Sequence, residues 1–300
     1  MQSINELRSI CQTKPIGRSH DKKTKVDLFF SIYFTWLFLR LGISPNAVTV
    51  LSGIMSIIGG ILLSSKSFLI LILGVLFLHL YYLLDYSDGE VARYNNKVSI
   101  TGHFLDWYML FVRDAAMFIG LAIGAFTIEP SKFIIIFGFF AVLTPIMDKT
   151  ILNSGWTVIS WARFRALKTG KEVIDDPEIF QQIEDHMDSS EKNIKKPIGK
   201  SPKLFVNRLL KVTKHLSTAI FQHHWSPLVL LILALMQIIL NYTTMISYDF
   251  RPLLIIYAGI IGPIYIVVKI IILVKKNAFE DGYKRLFYKK NGITSSDYFF

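Results

Sequence analysis

The sequence predicts an all-α, polytopic integral membrane protein with six transmembrane helices preceded by an interfacial amphipathic helix. Three observations predict it. Of the 300 residues, 52% are hydrophobic and only 18% charged, against about 25% charged in soluble domains. Apolar runs near the ~20 residues a helix needs to cross a bilayer recur along the chain. The basic excess, 33 Lys and Arg against 22 Asp and Glu for a net charge of +11, sorts to one side of those runs, as cytoplasmic loops do. A basic chain also invites nucleic acid, but the membrane reading accounts for both features, so no nucleic-acid partner is expected.

The first 26 residues are polar and basic, without the apolar run and cleavage site of a signal peptide. Leu28–Leu41 is too short to span, carries Arg40, and runs into the helix-breaking Gly42-Ile43-Ser44-Pro45-Asn46. It reads as a helix at the interface, with Trp36 and Arg40 at headgroup level. The six spans follow as Ala47–Ser64, Phe68–Leu84, Phe104–Thr127, Phe133–Met147, Pro227–Leu240 and Leu253–Val274. With the N-terminus inside, segments 1–46, 93–100, 153–225 and 275–300 hold 7, 2, 12 and 6 Lys or Arg, 27 of the 33. The outside loops hold Lys66, Lys132 and Arg251. A seventh span at Leu28–Leu41 would invert this split and violate the positive-inside tendency.

The expected organisation is a cytoplasmic N-terminal segment (1–46), four spans carrying the chemistry (47–152), a charged cytoplasmic loop (153–225), two further spans (226–275) and a tail (276–300). In the loop an acidic run, Asp175 to Asp188, precedes a basic one, Lys192 to Lys214; it reads as a solvated linker touching anionic headgroups. Asn241-Tyr242-Thr243 is a glycosylation sequon expected in an outside loop. The single cysteine, Cys11, excludes an internal disulfide and a thiolate metal cluster.

Ionisable residues are costly near a bilayer, so their spacing carries information. Asp85, Asp88, Gly89 and Ala92 lie at i, i+3, i+4 and i+7, on one helical stripe. Gly102 and Asp106 repeat the device on the next helix, after a short connection that makes the two helices antiparallel neighbours. The facing stripes form an oxygen-lined notch, with small residues leaving room for a ligand. Carboxylates without Cys or paired His suit Mg²⁺, Mn²⁺ or Ca²⁺, and Arg93 could take a phosphate. The plainer alternative is a set of carboxylates paired with Arg93 and Arg113 to lock two helices together.

Written out, Asp85-x-x-Asp88-Gly89-x-x-Ala92-Arg93, eight residues, Gly102-x-x-x-Asp106 resembles the signature of the CDP-alcohol phosphotransferase (phosphatidyltransferase) family. Pro45-Asn46-x-x-Thr49 resembles the entry to that family's first span. The resemblance implies transfer of a phosphoryl-alcohol group from a CDP-alcohol to a lipid or small-alcohol acceptor, with release of CMP. It implies Mg²⁺ or Mn²⁺ held by Asp85, Asp88 and Asp106, with Gly89, Ala92, Arg93 and Gly102 on the substrate side; the charge split places this site on the cytoplasmic face. A homodimer is implied only by the same resemblance, through Gly120 and Gly124 or otherwise.

The sequence departs from the signature at one place: four residues after Asp106 stands Leu110 where the family has a fourth aspartate, its proposed base. His103 is the candidate replacement base. The alternatives are a single-metal site in which water or the acceptor takes the proton, or a non-catalytic member that binds nucleotide or lipid or serves as a complex subunit. A cation channel lined by the carboxylates fits less well, because it leaves the Gly and Ala positions unexplained.

Overall fold

In a computed structural model the described residues are 3–12, 22–168, 226–244 and 249–275, and all of their regular structure is helical. The helices are α1 (Ile4–Cys11), α2 (Lys22–Leu41), α3 (Pro45–Leu63), α4 (Phe68–Tyr94), α5 (Ile100–Ile128), α6 (Lys132–Lys168), α7 (Ser226–Thr244) and α8 (Arg251–Lys275). Five are long and apolar enough to cross a membrane: α3, α4, α5, α6 over Lys132–Ile151, and α8 over Arg251–Val274. The expected span in α7 is shorter, an apolar stretch over Leu228–Thr243. The chain is thus a polytopic, all-α integral membrane protein. The runs Asp175–Asp188 and Lys192–Lys214 and the tail 276–300 lie outside the described residues.

The described residues fall into two compact units, one drawn from Met1–Ile146 and His215–Gly262, the other from Met147–Lys214 and Pro263–Phe300. In the first, α3 packs on α4 and α5, and α2 and α1 pack on α4. Glycines set the closeness of these contacts. A Cβ at Gly60 would strike the Ala116 carbonyl, and one at Gly120 would strike the Gly60 carbonyl. At Gly124 a Cβ would meet the Leu63 carbonyl and the guanidinium of Arg251. The Gly120/Gly124 pair is therefore used within the chain, where small residues let helix backbones approach. Arg251, buried, donates to the carbonyls of Leu63 (2.8 Å) and Ser65 (2.7 Å) at the end of α3 and is held by Asp249. In the second unit, Lys269 Nζ donates to Asp148 Oδ1 at 2.7 Å, which gives Asp148 a partner within the chain.

Helix ends follow their sequence signals. Gly42 sits at φ +68°, and the Ile43 N–H bonds the Phe38 carbonyl at 3.0 Å, a left-handed stop to α2. Ser44 then caps α3, with Pro45 at its first position. At the far end of α4, Asn96 (φ 50°) makes the same turn, with the Lys97 N–H on the Ala92 carbonyl at 2.9 Å. Ser99 accepts from the Gly102 N–H at 3.0 Å to start α5.

Two expectations need correction. α2 begins six residues before Leu28, and its polar side, Asp27, Ser31 and Thr35, is turned inward while Val26, Phe29, Phe30, Tyr33 and Leu37 are exposed. In lipid contact that polarity is the reverse of a soluble amphipathic helix, because the polar groups find partners only inside the protein. Arg40 lies over the Trp36 ring at 4.9 Å. The sequon is not in a loop: Asn241, Tyr242 and Thr243 are on the last turn of α7, with Thr243 Oγ1 donating to the Ile239 carbonyl at 2.8 Å. In addition, α6 continues as helix to Lys168, beyond the expected start of the loop at 153, because nothing in the sequence after Ile151 stops it.

α1 is closed at its start by a reciprocal cap between Ser3 and Glu6, and at its end Cys11 is fully buried. Burial, reinforced by the negative charge of Glu90 and opposed by Arg93, pushes the Cys11 thiol up to about 11. At pH 7.5 alkylation of Cys11 in the folded protein is therefore expected to run roughly 10²-fold slower than that of an exposed thiol with a pKa of about 8.5. The rate should keep rising with pH toward 11. Mass spectrometry of timed iodoacetamide reactions measures it; labelling as fast as in the denatured chain would overturn the placement of α1.

Candidate functional site

α4 has 27 residues, about 40 Å at 1.5 Å per residue, longer than the ~30 Å hydrocarbon core. Its last turns can therefore carry charge near the interface. Asp85, Asp88, Gly89 and Ala92 occupy those turns, and Gly102 and Asp106 occupy the first turns of α5. Asp85 and Asp106 lie within side-chain hydrogen-bonding reach of one another, and Asp88 is near enough to Asp106 to be acted on by its charge. Tyr81 donates to Asp85 Oδ1 at 3.1 Å. The Thr49 hydroxyl lies 2.5 Å from Asp88 Oδ2 and 3.2 Å from the Pro45 carbonyl. Among the described residues no three Asp, Glu, His or Cys side chains close into a ready-made ligand cluster; the carboxylates meet in pairs.

The small residues have specific neighbours. A Cβ at Gly102 would come within 3.2 Å of both Asn46 Oδ1 and Ser99 Oγ. The Pro45-Asn46-x-x-Thr49 stretch thus packs on the site twice, through Asn46 at Gly102 and Thr49 at Asp88. At Gly89 a Cβ would lie 3.2 Å from Arg93 Nη1, so the guanidinium lies alongside Gly89. Arg93 Nε donates to the Cys11 carbonyl at 2.6 Å, so this arginine also anchors α1. Ala92 is half-buried on the same stripe.

His103 is exposed, and its Nε2 accepts from Trp107 Nε1 at 3.1 Å on the same helix. It is close enough to Asp106 to act on its charge. Leu110 is half-buried one turn after Asp106. Arg113 bonds its neighbour Asp114 and, across to α4, donates to the Tyr82 hydroxyl at 2.5 Å. Its guanidinium lies 5.4 and 5.0 Å from the Tyr81 and Tyr82 ring centroids. Its charge still reaches Asp85.

Thr49, Tyr81 and Asn46 were not singled out from the sequence as site residues. For Thr49 and Asn46 the signal was present, in the stretch that resembles the family's entry motif; for Tyr81 it was the i, i+4 spacing to Asp85.

The chemistry open to the site follows from its donors. Three carboxylates cannot all ionise side by side without a compensating cation. Their oxygen-only character fits a divalent hard cation such as Mg²⁺ or Mn²⁺, which in turn takes phosphate oxygens. Residues 42–175 match the family model of CDP-alcohol phosphatidyltransferase. That match contains α3, α4 and α5 and with them every carboxylate of the site. No curated protein matches the chain. Residues 42–175 thus match a CDP-alcohol phosphatidyltransferase domain, a family of phosphotransferases that act on CDP-alcohols in phospholipid synthesis.

Proposed function

We propose that this domain is catalytically active, moving a phosphoryl-alcohol group from a CDP-alcohol to an acceptor alcohol with release of CMP, at a site open to the cytoplasm. The observation that carries the reading is the approach of Asp106 on α5 to Asp85 on α4, with Asp88 on the same stripe of α4 within reach of its charge. Asp85, Asp88 and Asp106 would hold Mg²⁺ or Mn²⁺. Bound there, the metal would screen the pyrophosphate and stabilise the leaving CMP. The chain's own residues do the rest. Thr49 fixes one oxygen of Asp88 and Tyr81 fixes one of Asp85, so both carboxylates are oriented before substrate arrives. The lipid-side partner enters from the bilayer, and 27 of 33 basic residues on one side support the cytoplasmic orientation.

The acceptor hydroxyl must lose a proton, and Leu110 cannot take it. His103, three residues before Asp106, is the proposed base in the neutral imidazole form; Trp107 would have to release its Nε2, or Nδ1 would serve. Leu110 favours one second reading, a member that binds nucleotide or lipid without turnover. Purified protein in nanodiscs with Mg²⁺ or Mn²⁺ and a panel of radiolabelled CDP-alcohols should release CMP, and excess EDTA should abolish the release. Tight CDP-alcohol binding without release, together with release gained on Leu110→Asp, would establish the second reading instead.

A further inference from the structure

Glu90 stands two residues after Asp88 but takes no part in the carboxylate pairs. It is fully buried. At 3.6 residues per turn it lies roughly 140–160° round α4 from Asp85 and Asp88, on the back of the helix. There it accepts from Gln12 Nε2 (2.7 Å), Ser31 Oγ (2.7 Å) and Thr35 Oγ1 (2.5 Å). One turn earlier, Ser87 Oγ donates to the Ser31 carbonyl at 3.0 Å. Gln12 also donates to the Leu28 carbonyl at 2.7 Å, so the residue that ends α1, Ser31 and Thr35 of α2 and the back of α4 meet in one knot.

We propose that Glu90 is a positioning residue for the reaction: the knot fixes the rotation of α4, and thereby the aim of Asp85 and Asp88 toward Asp106. The inference rests on the function proposed above and deepens it. An acceptor-only carboxylate met by three donors has one satisfied arrangement, whereas an apolar back face would let α4 turn among several nearly equal packings. A small rotation displaces Asp88 from Thr49 and both aspartates from Asp106, since side chains on opposite faces of one rigid helix move together. Glutamine at 90 would keep the volume but aim an amide N–H₂ at a donor, so Glu90→Gln perturbs the knot with little change in packing.

Two measurements test this. In CMP release, Glu90→Gln should lower kcat by about 10-fold, the scale of a modest misplacement of reacting groups, with KM for the CDP-alcohol nearly unchanged. Thr35→Val should lower kcat in the same direction and Thr35→Ser should restore it, because the hydroxyl rather than the bulk is what Glu90 uses. The second measurement needs no activity. In a Cys11→Ser background, Thr49→Cys and Asp88→Cys introduce a thiol pair at the α3–α4 contact. Linking by a short bifunctional thiol reagent should fall at least about threefold when Glu90→Gln is added, because such links demand specific Cβ geometry. Unchanged kcat in Glu90→Gln, or unchanged linking, overturns the proposal. If the parent releases no CMP at all, the function reading fails while the linking yield still decides the role of Glu90. If Glu90→Gln does not fold, Ser31→Ala with Thr35→Val replaces it in both measurements.

Discussion

Asp88→Ala is expected to reduce CMP release by at least about 10³-fold, equivalent to roughly 4 kcal/mol of transition-state stabilisation. The carboxylate is one of the three proposed to hold the cation, and the Thr49 hydroxyl lies 2.5 Å from it. Asp88→Asn separates charge from shape: the amide oxygen can still accept from the Thr49 hydroxyl, so folding survives, but the negative charge is gone. The same loss in Asp88→Asn as in Asp88→Ala would assign the effect to charge. Thr49→Val should fall between wild type and Asp88→Asn, because it removes the orientation and keeps the charge. Initial-rate assays across Mg²⁺ concentration check all three; in Thr49→Val a higher metal requirement with partial kcat is the expected pattern. CMP release that persists in both Asp88 variants would sink the assignment of this site.

How much of this was visible beforehand differs by feature, and for physical reasons. The stripe Asp85, Asp88, Gly89, Ala92 and its partner Gly102, Asp106 were legible because helical periodicity converts spacing into a face, and charge near a bilayer is too costly to be incidental. The helix boundary at Gly42 and Ser44 was legible because caps are local chemistry. The orientation of α2 was not, since deciding which side of an apolar helix is inward requires knowing where its polar groups find partners, and those lie on α4, over fifty residues away. For the same reason neither the role of Glu90 nor the bond from Arg93 Nε to the carbonyl of Cys11, 82 residues before it, was legible in the sequence. The extension of α6 past Ile151 escaped because its polar residues look alike in a loop and in a helix that has left the membrane.

Arg113→Leu is expected to destabilise the protein by about 3–5 kcal/mol, the range for breaking a buried pair by removing one partner. Arg113 and Asp114 are both nearly fully buried, and Arg113→Leu removes the guanidinium's bonds to the Asp114 carboxylate and the Tyr82 hydroxyl. The double variant Arg113→Leu with Asp114→Leu should recover most of that stability, because replacing a whole buried pair by apolar groups is often neutral or favourable. Activity should not recover with it. Arg113 is the cation whose field reaches Asp85, and Tyr81, stacked beside it, hydrogen-bonds the same carboxylate. With the positive charge gone, the site carboxylates have less compensation from the protein, so on the proposed function a cation held there would have more charge to neutralise. The double variant should then melt near wild type in detergent yet show a changed Mg²⁺ or Mn²⁺ concentration for half-maximal CMP release. Recovery of stability together with an unchanged metal dependence would confine Arg113 to holding α4 on α5; divergence of the two would tie the buried arginine to the electrostatics of Asp85.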